Sequence, residues 1–180
     1  MKLSQRLSII FAGGLLLGVI VLEAPHTGRT TISPILKHMT LEEMTQEADL
    51  VVRGTITKKI GTFRQTGPAG NDMVYTKWSF SADEFLKGTS QPITVVTPGG
   101  QYGTTIVEFE DMAQLPLRQP LVLALYQMEQ RPGYYRIEGE SQGAYAVENN
   151  STTIRQLFTN ESVPMTRVKS SLTTQQPANK

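Results

Sequence analysis

Residues 49–57 read Asp49-Leu50-Val51-Val52-Arg53-Gly54-Thr55-Ile56-Thr57. Leu50, Val52, Gly54 and Ile56 alternate with Val51, Arg53, Thr55 and Thr57, the two-residue period of a half-buried strand. A glycine inside such a strand marks a bulge or a sharp bend, as small closed barrels require. The stretch therefore predicts a strand that belongs to a strongly curved sheet.

Upstream, Thr40 precedes Leu41-Glu42-Glu43, so its side chain can cap a helix while Glu43 reaches back, a capping box. Glu42 and Glu43 fall in the first turn, where the helix dipole favours negative charge. Leu41, Met44 and Ala48 share a face that can lie on a sheet. Downstream, the polar and glycine-rich segment from Gly61 to Asp72 predicts a mobile loop. Val74, Thr76, Trp78, Phe80 and Ala82 then alternate with Tyr75, Lys77, Ser79 and Ser81 in the clearest strand of the chain, with Trp78 on its core side. Phe85-Leu86-Lys87-Gly88 closes it, and a phase shift near Glu84 predicts a bulge.

Further strands are expected over Ile93–Thr97, Thr104–Phe109, Leu121–Tyr126, Tyr134–Gly139 and Gly143–Val147. Leu121–Tyr126 is apolar on both faces and reads as a central strand covered on each side. Arg131-Pro132-Gly133 is a turn. A short final helix is expected from Ser151 or Thr152 to Phe158, with Ile154, Leu157 and Phe158 as its apolar face. Six or seven short strands with one helix before and one after give a mainly β domain over residues 40–160, a compact antiparallel barrel with a sandwich as the alternative. Residues 161–180 are polar and unpatterned and read as a disordered tail.

Thr97-Pro98-Gly99-Gly100-Gln101-Tyr102-Gly103-Thr104-Thr105 packs three glycines together. A phosphate loop of the GxxxxGK[ST] type is excluded, because no lysine follows Gly103 and a strand pattern stands where a helix should begin. A dinucleotide fingerprint fails as well, since no βαβ unit surrounds the glycines. The segment reads as a turn in which Pro98 stiffens the start and Gly99 or Gly100 supplies positive φ, with Gln101 and Tyr102 at its tip.

The 180 residues have room for one domain with appendages. A formal net charge of +1 argues against general nucleic-acid binding. The absence of cysteine excludes disulfides, thiolate metal sites and cysteine nucleophiles, and no cofactor or metal is expected. Lys2 and Arg6 precede an apolar run from Leu7 to Leu22 that is slightly short for a bilayer core and long for a signal core. Glu23-Ala24-Pro25 is a poor cleavage site, because proline follows the only small residue. Residues 1–22 are therefore expected to be an uncleaved signal-anchor, with a cleaved signal peptide as the alternative, and 23–39 a linker. The positive-inside rule leaves Lys2 and Arg6 in the cytosol and places the domain outside, on a single-pass cell-membrane protein or, after cleavage, a secreted one. Gly14 and Gly18 form a GxxxG pair that lets two anchors approach.

Glu47-Ala48-Asp49-Leu50-Val51-Val52-Arg53-Gly54, Phe85-Leu86-Lys87-Gly88, Ile93-Thr94-Val95-Val96-Thr97-Pro98-Gly99-Gly100 and Gly143-Ala144-Tyr145-Ala146-Val147 follow one another in an order that resembles a group of exported bacterial domains. That group is similar to the OB-fold modules of tissue inhibitors of metalloproteinases and netrins. The resemblance spans roughly residues 40–150 and implies an OB-like barrel. Those inhibitors chelate the target's zinc through an N-terminal cysteine, which this chain lacks, so regulation of an extracellular protease would need another contact mode.

Catalytic sets are sparse. His26 and His38 both precede the domain, and no GxSxG or HExxH motif occurs. Glu108, Glu110 and Asp111 cluster near a strand end, without EF-hand spacing, and read first as a solvated rim; a carboxylate-dependent hydrolase needs them to converge in a cleft. Glu138 and Glu140 flank Gly139 on an expected strand and would share a face. Asn149, Asn150 and Asn160 sit in N-x-[ST] patterns that have meaning only in a eukaryotic secretory route. Lys58, Lys59, Arg64 and Lys77 form a modest basic edge. Tyr75, on the polar side of its strand, and Gln101 and Tyr102, at the loop tip, are the residues best placed to meet a partner. The reading that follows is a membrane-tethered or secreted non-enzymatic module that binds a protein or a surface polymer, with protease regulation and carboxylate hydrolysis as alternatives.

Overall fold

The computed structural model describes residues 28–33, 36–66, 72–110, 112, 114–148 and 152–173. The expected membrane segment at 7–22, the GxxxG pair, His26, Asp111, Asn149 and Asn150 lie outside them. Among the described residues no helix is long and apolar enough to cross a membrane. Among the described residues the fold is mainly β with two helices. In order it forms β1 (Gly28–Ile32), α1 (Leu41–Glu47), β2 (Leu50–Thr66), β3 (Asp72–Lys87), β4 (Thr94–Pro98), β5 (Gly100–Tyr102), β6 (Thr105–Phe109), β7 (Pro120–Gln127), β8 (Tyr134–Ile137), β9 (Ala144–Val147), β10 (Thr153–Gln156), β11 (Ser162–Pro164) and α2 (Met165–Thr173).

The expected helix start holds atom for atom. Glu43 N donates to Thr40 Oγ1 at 3.2 Å, and Thr40 N donates to Glu43 Oε2 at 2.8 Å. Leu41, Met44 and Ala48 are buried. β2 and β3 pair along nearly their whole length, with register shifts at Val51/Val52 and Arg53/Gly54 that skip Leu86 and Asp83, one on each side of Glu84. These are the bulges the phase shift announced. Each bends the ribbon and increases its twist.

The large sheet runs β11-β10-β9-β7-β2-β3-β4-β8, and β8 pairs with β7 as well. Five strands, β7-β2-β3-β4-β8, thus meet in a ring, antiparallel except for β4 against β8. Inside the ring lie Val52, Ile56, Phe80, Val95, Leu121, Leu123, Leu125, Tyr135 and Ile137, with Trp78 packed against them. The Trp78 indole N–H donates to Thr97 Oγ1 at 2.9 Å, so its one polar atom is satisfied in the core. On the outside, α1 and α2 cover Val51, Val122, Ala124, Tyr145 and Ile154. β7 is buried on both faces from Leu121 to Leu125, as its unbroken apolar run predicts.

Four expectations are corrected. Residues 28–32 of the expected linker are a strand that pairs in parallel with β6. The segment Gly61–Asp72 is not one loop: β2 continues to Thr66 and β3 begins at Asp72. The final helix over 151–158 is instead β10 and a turn, because Ile154 and Gln156 alternate toward the core while β9 and β11 pair on either side. Short apolar runs fit both periods, and only the neighbours decide. The tail at 161–180 holds β11 and α2, whose Met165, Val168 and Leu172 make a helical stripe on the outer core. Ser171 Oγ lies 2.9 Å from Thr45 Oγ1 and ties α2 to α1.

Gly54 carries the bend. A Cβ there would meet Ser81 O at 2.2 Å and Phe80 Cζ at 2.6 Å. Gly54→Ala is expected to lower unfolding free energy by about 3 kcal/mol, read from the shift of the urea midpoint. An unchanged midpoint would show that the ribbon can relax away from Gly54.

Candidate functional site

The ring turns one set of aromatic side chains outward. Phe63 and Tyr75 are register partners on β2 and β3, and their rings stack at 5.3 Å between centroids and 21° between planes. Cross-strand aromatic pairs of this kind stabilise the ribbon that carries them. β8 enters from the other side, parallel to β4, and sets Tyr134 edge-on to Phe63 at 6.1 Å and 86°. Val96 and Met128 close the cluster underneath.

Two arginines are laid over these rings. Arg131, from the β7–β8 turn, holds its guanidinium carbon 4.3 Å from the Phe63 centroid and 5.9 Å from that of Tyr134. Its Nε donates to Gln65 Oε1 at 3.2 Å. Arg136, on β8, lies 5.6 Å from Tyr75 and 5.6 Å from Tyr126, and it pairs with Glu140. Arg131, Phe63, Tyr75, Arg136 and Tyr126 therefore follow one another across β2, β3, β8 and β7. Burial disfavours the Arg136 charge, but Glu140 together with Tyr126 and Tyr75 outweighs it and keeps the guanidinium above its ordinary pKa. Desolvation pushes the Tyr126 hydroxyl up to about 12, against the pull of Arg136.

Beyond Tyr126 the face opens into a cavity of about 450 Å³ lined by Lys37, Met39, Glu47, Glu138, Glu140 and Gln142. Gln142 fixes one wall: its Nε2 donates to Lys37 O at 2.8 Å, and its Oε1 accepts from Met39 N at 3.1 Å. A smaller cavity of about 210 Å³ lies under α1 and α2, lined by His38, Tyr145, Gln156, Glu161 and Arg167. Among the described residues no group of three or more His, Asp or Glu is placed to hold a metal ion.

Of the residues expected to meet a partner, Tyr75 is 9 % exposed, held between Phe63 and Arg136 rather than free on a polar face. Phe63 of β2 and the Arg136 guanidinium of β8 lie across this end of the polar side, which the β3 pattern by itself cannot reveal. Gln101 and Tyr102 are exposed on β5, just before a turn at Gly103 and Thr104. Gly99 and Gly100 both take positive φ, 89° and 127°. Glu108 and Glu110 sit on an exposed rim, bound to Arg29 of β1 and to Ser33 just past its end. Glu138 and Glu140 lie in a turn beyond β8, not on a strand, and both line the larger cavity. Of the basic edge, Lys58 and Lys59 are exposed and Arg64 pairs with Asp72. Sequence reasoning missed Phe63, Arg131 and Arg136, because Phe63 lies far along the chain from the two arginines; the one local signal is the Phe63–Tyr75 pairing.

Glu138 tests the electrostatics of this region. Burial, then the charges of Glu47 and Asp49, hold its carboxyl above the ordinary value. The folded state then binds the proton more readily than the unfolded chain, and the associated stability is present at low pH and lost as pH rises through the folded pKa. Glu138→Gln is expected to raise the urea midpoint near pH 7 and leave it unchanged near pH 4. Equal midpoints at both pH values would refute the shift. No family model matches the chain, and no curated protein matches it.

Proposed function

We propose that the chain is a non-enzymatic binding module, an OB-like barrel carried outside the cell by residues 7–22 or released from them, that takes a protein or a surface polymer on its aromatic–arginine face. The observation that carries this reading is the order of the ring. Counted along the chain its strands are β2, β3, β4, β7 and β8, and they neighbour one another as first, second, third, fifth, fourth and first again, with third and fifth parallel. OB-folds share that order and bind their ligands on the face of the second and third strands and on the first-to-second and fourth-to-fifth loops. In this chain β3 and β4 carry Tyr75 and Val96, and the fourth-to-fifth loop carries Arg131.

The chemistry of the face fits such a ligand. Half-buried Arg131 spends its Nε on Gln65 and keeps its terminal N–H groups for acceptors, beside the half-buried ring of Tyr134. Hydroxyl- and carboxylate-bearing polymers and extended peptides offer both kinds of group. The near-neutral chain lacks the basic excess that nucleic-acid binding requires.

Retention of the full chain on immobilised cell-surface polymer and on a surface-protein fraction tests the reading. The wild type is expected to bind one of them, and Arg131→Ala to weaken that binding about tenfold while lowering unfolding free energy by no more than about 2 kcal/mol, so that the variant stays folded. Equal retention of both chains would move the site elsewhere. No retention of the wild type at high concentration would overturn the module reading.

A further inference from the structure

The large hydrophobic side chains that stand exposed among the described residues are Ile60, Tyr102 and Leu117, at 49 %, 46 % and 52 %. They come from three separate segments and converge on one edge of β2. β7 covers that edge only from Leu50 to Thr55. Arg118 N then donates to Ile56 O at 2.9 Å, which brings Leu117 to the next position. Among the described residues no strand pairs β2 on this side from Thr57 to Thr66. Ile60 is the residue passed over by the register shift between Lys59 and Gly61.

β5 supplies the third side chain. Gly99 N donates to Val74 O at 2.7 Å, Gly100 lies against Thr76 and Thr62, and Thr62 Oγ1 donates to Gln101 O at 2.6 Å. β5 therefore crosses the ribbon from β3 to β2 and carries Tyr102 toward the same open edge. Ile56 to Thr62 spans about 20 Å of strand. The contributing segments, 55–65, 100–105 and 114–120, contain Lys58, Lys59 and Arg118, besides Arg64 in its pair with Asp72, and no Asp or Glu.

We propose that this edge is a contact surface for anionic lipid, with Ile60, Tyr102 and Leu117 entering the headgroup region and Lys58, Lys59 and Arg118 meeting the phosphates. Exposed apolar side chains ringed by cations of one sign match an anionic interface, and tyrosine prefers that depth. Lysine stems extend along the apolar surface while their charges stay wet. A partner strand fits less well, since two lysines and the Lys59–Gly61 irregularity are the features that discourage edge pairing. The proposal stands on this surface and does not require residues 7–22 to insert.

The test uses the full chain, which has no cysteine, with a nitroxide attached at Ile60→Cys or, as a control on the exposed face of α2, at Thr166→Cys. Vesicles are phosphatidylcholine alone or with phosphatidylglycerol, and paramagnetic-collision accessibility to oxygen and to a water-soluble nickel chelate reports depth. Flotation on phosphatidylcholine alone reports separately on residues 7–22. The label at 60 is expected to gain oxygen and lose nickel accessibility with phosphatidylglycerol present, while the label at 166 stays aqueous. Lys58→Glu with Lys59→Glu is expected to reverse the gain and weaken partitioning by at least about tenfold. An aqueous label at 60 in both vesicles would overturn the proposal. So would close label–label coupling at 60, which marks a second copy on the edge.

Discussion

Ala124 and its neighbours on β7 set the constraint on which the rest of the molecule depends. One edge of β7 pairs with β2 from Leu50 to Thr55. The other edge is divided between β9, opposite Leu121–Leu123, and β8, opposite Leu125–Gln127. The changeover falls at Ala124, whose N–H donates to Gly143 O at 2.9 Å and whose carbonyl accepts from Glu138 N at 2.9 Å. No backbone group of that residue is left unpaired where the sheet divides, which is the condition for burying a strand on both faces. Gly143 has no room for more: a Cβ would stand 3.0 Å from Glu138 O and 3.1 Å from Ala124 O.

From this division two cores follow. β8 turns back to lie parallel to β4 and encloses the inner apolar set, while β9, β10 and β11 continue the sheet outward under α1 and α2. The same turn that separates β8 from β9 holds Glu140, the partner of Arg136. Placement of the arginine over Tyr75 and Tyr126 is thus a consequence of how β7 shares its edge. Cation–π contacts are worth about 0.5–1 kcal/mol each at exposed sites, so the face gains order from its arginines more than it gains stability. A rigid aromatic surface loses little conformational entropy when a ligand arrives.

Much of the fold was legible from short-range patterns. The Thr40 capping box, the β2 and β3 alternation, the bend at Gly54, the bulges around Glu84 and the two-sided burial of β7 all depend on residues within a few positions of one another. The face with its arginines was not legible in the same way. Phe63 lay in a segment read as loop, Arg131 in a turn, and Arg136 on a strand of ordinary polar alternation. Tyr75 was picked out for the polar phase of its strand, and that phase was right. Its exposure was wrong, because a polar-side residue is covered whenever another strand brings a ring or a guanidinium across it.

Local periodicity and capping chemistry, then, determined that 50–56, 74–82 and 121–126 are strands, where α1 starts and which of their side chains point inward, since hydrogen bonding and side-chain direction within one element repeat over two to four residues. Tertiary structure alone decided the rest. It made 153–156 a strand rather than a helix by supplying partners on both edges, and it drew Gly28–Ile32 onto β6. It also assembled Phe63, Tyr75, Tyr126, Arg131 and Arg136 on one face, because ring closure depends on which distant backbone edges find each other, and no window of sequence contains both partners.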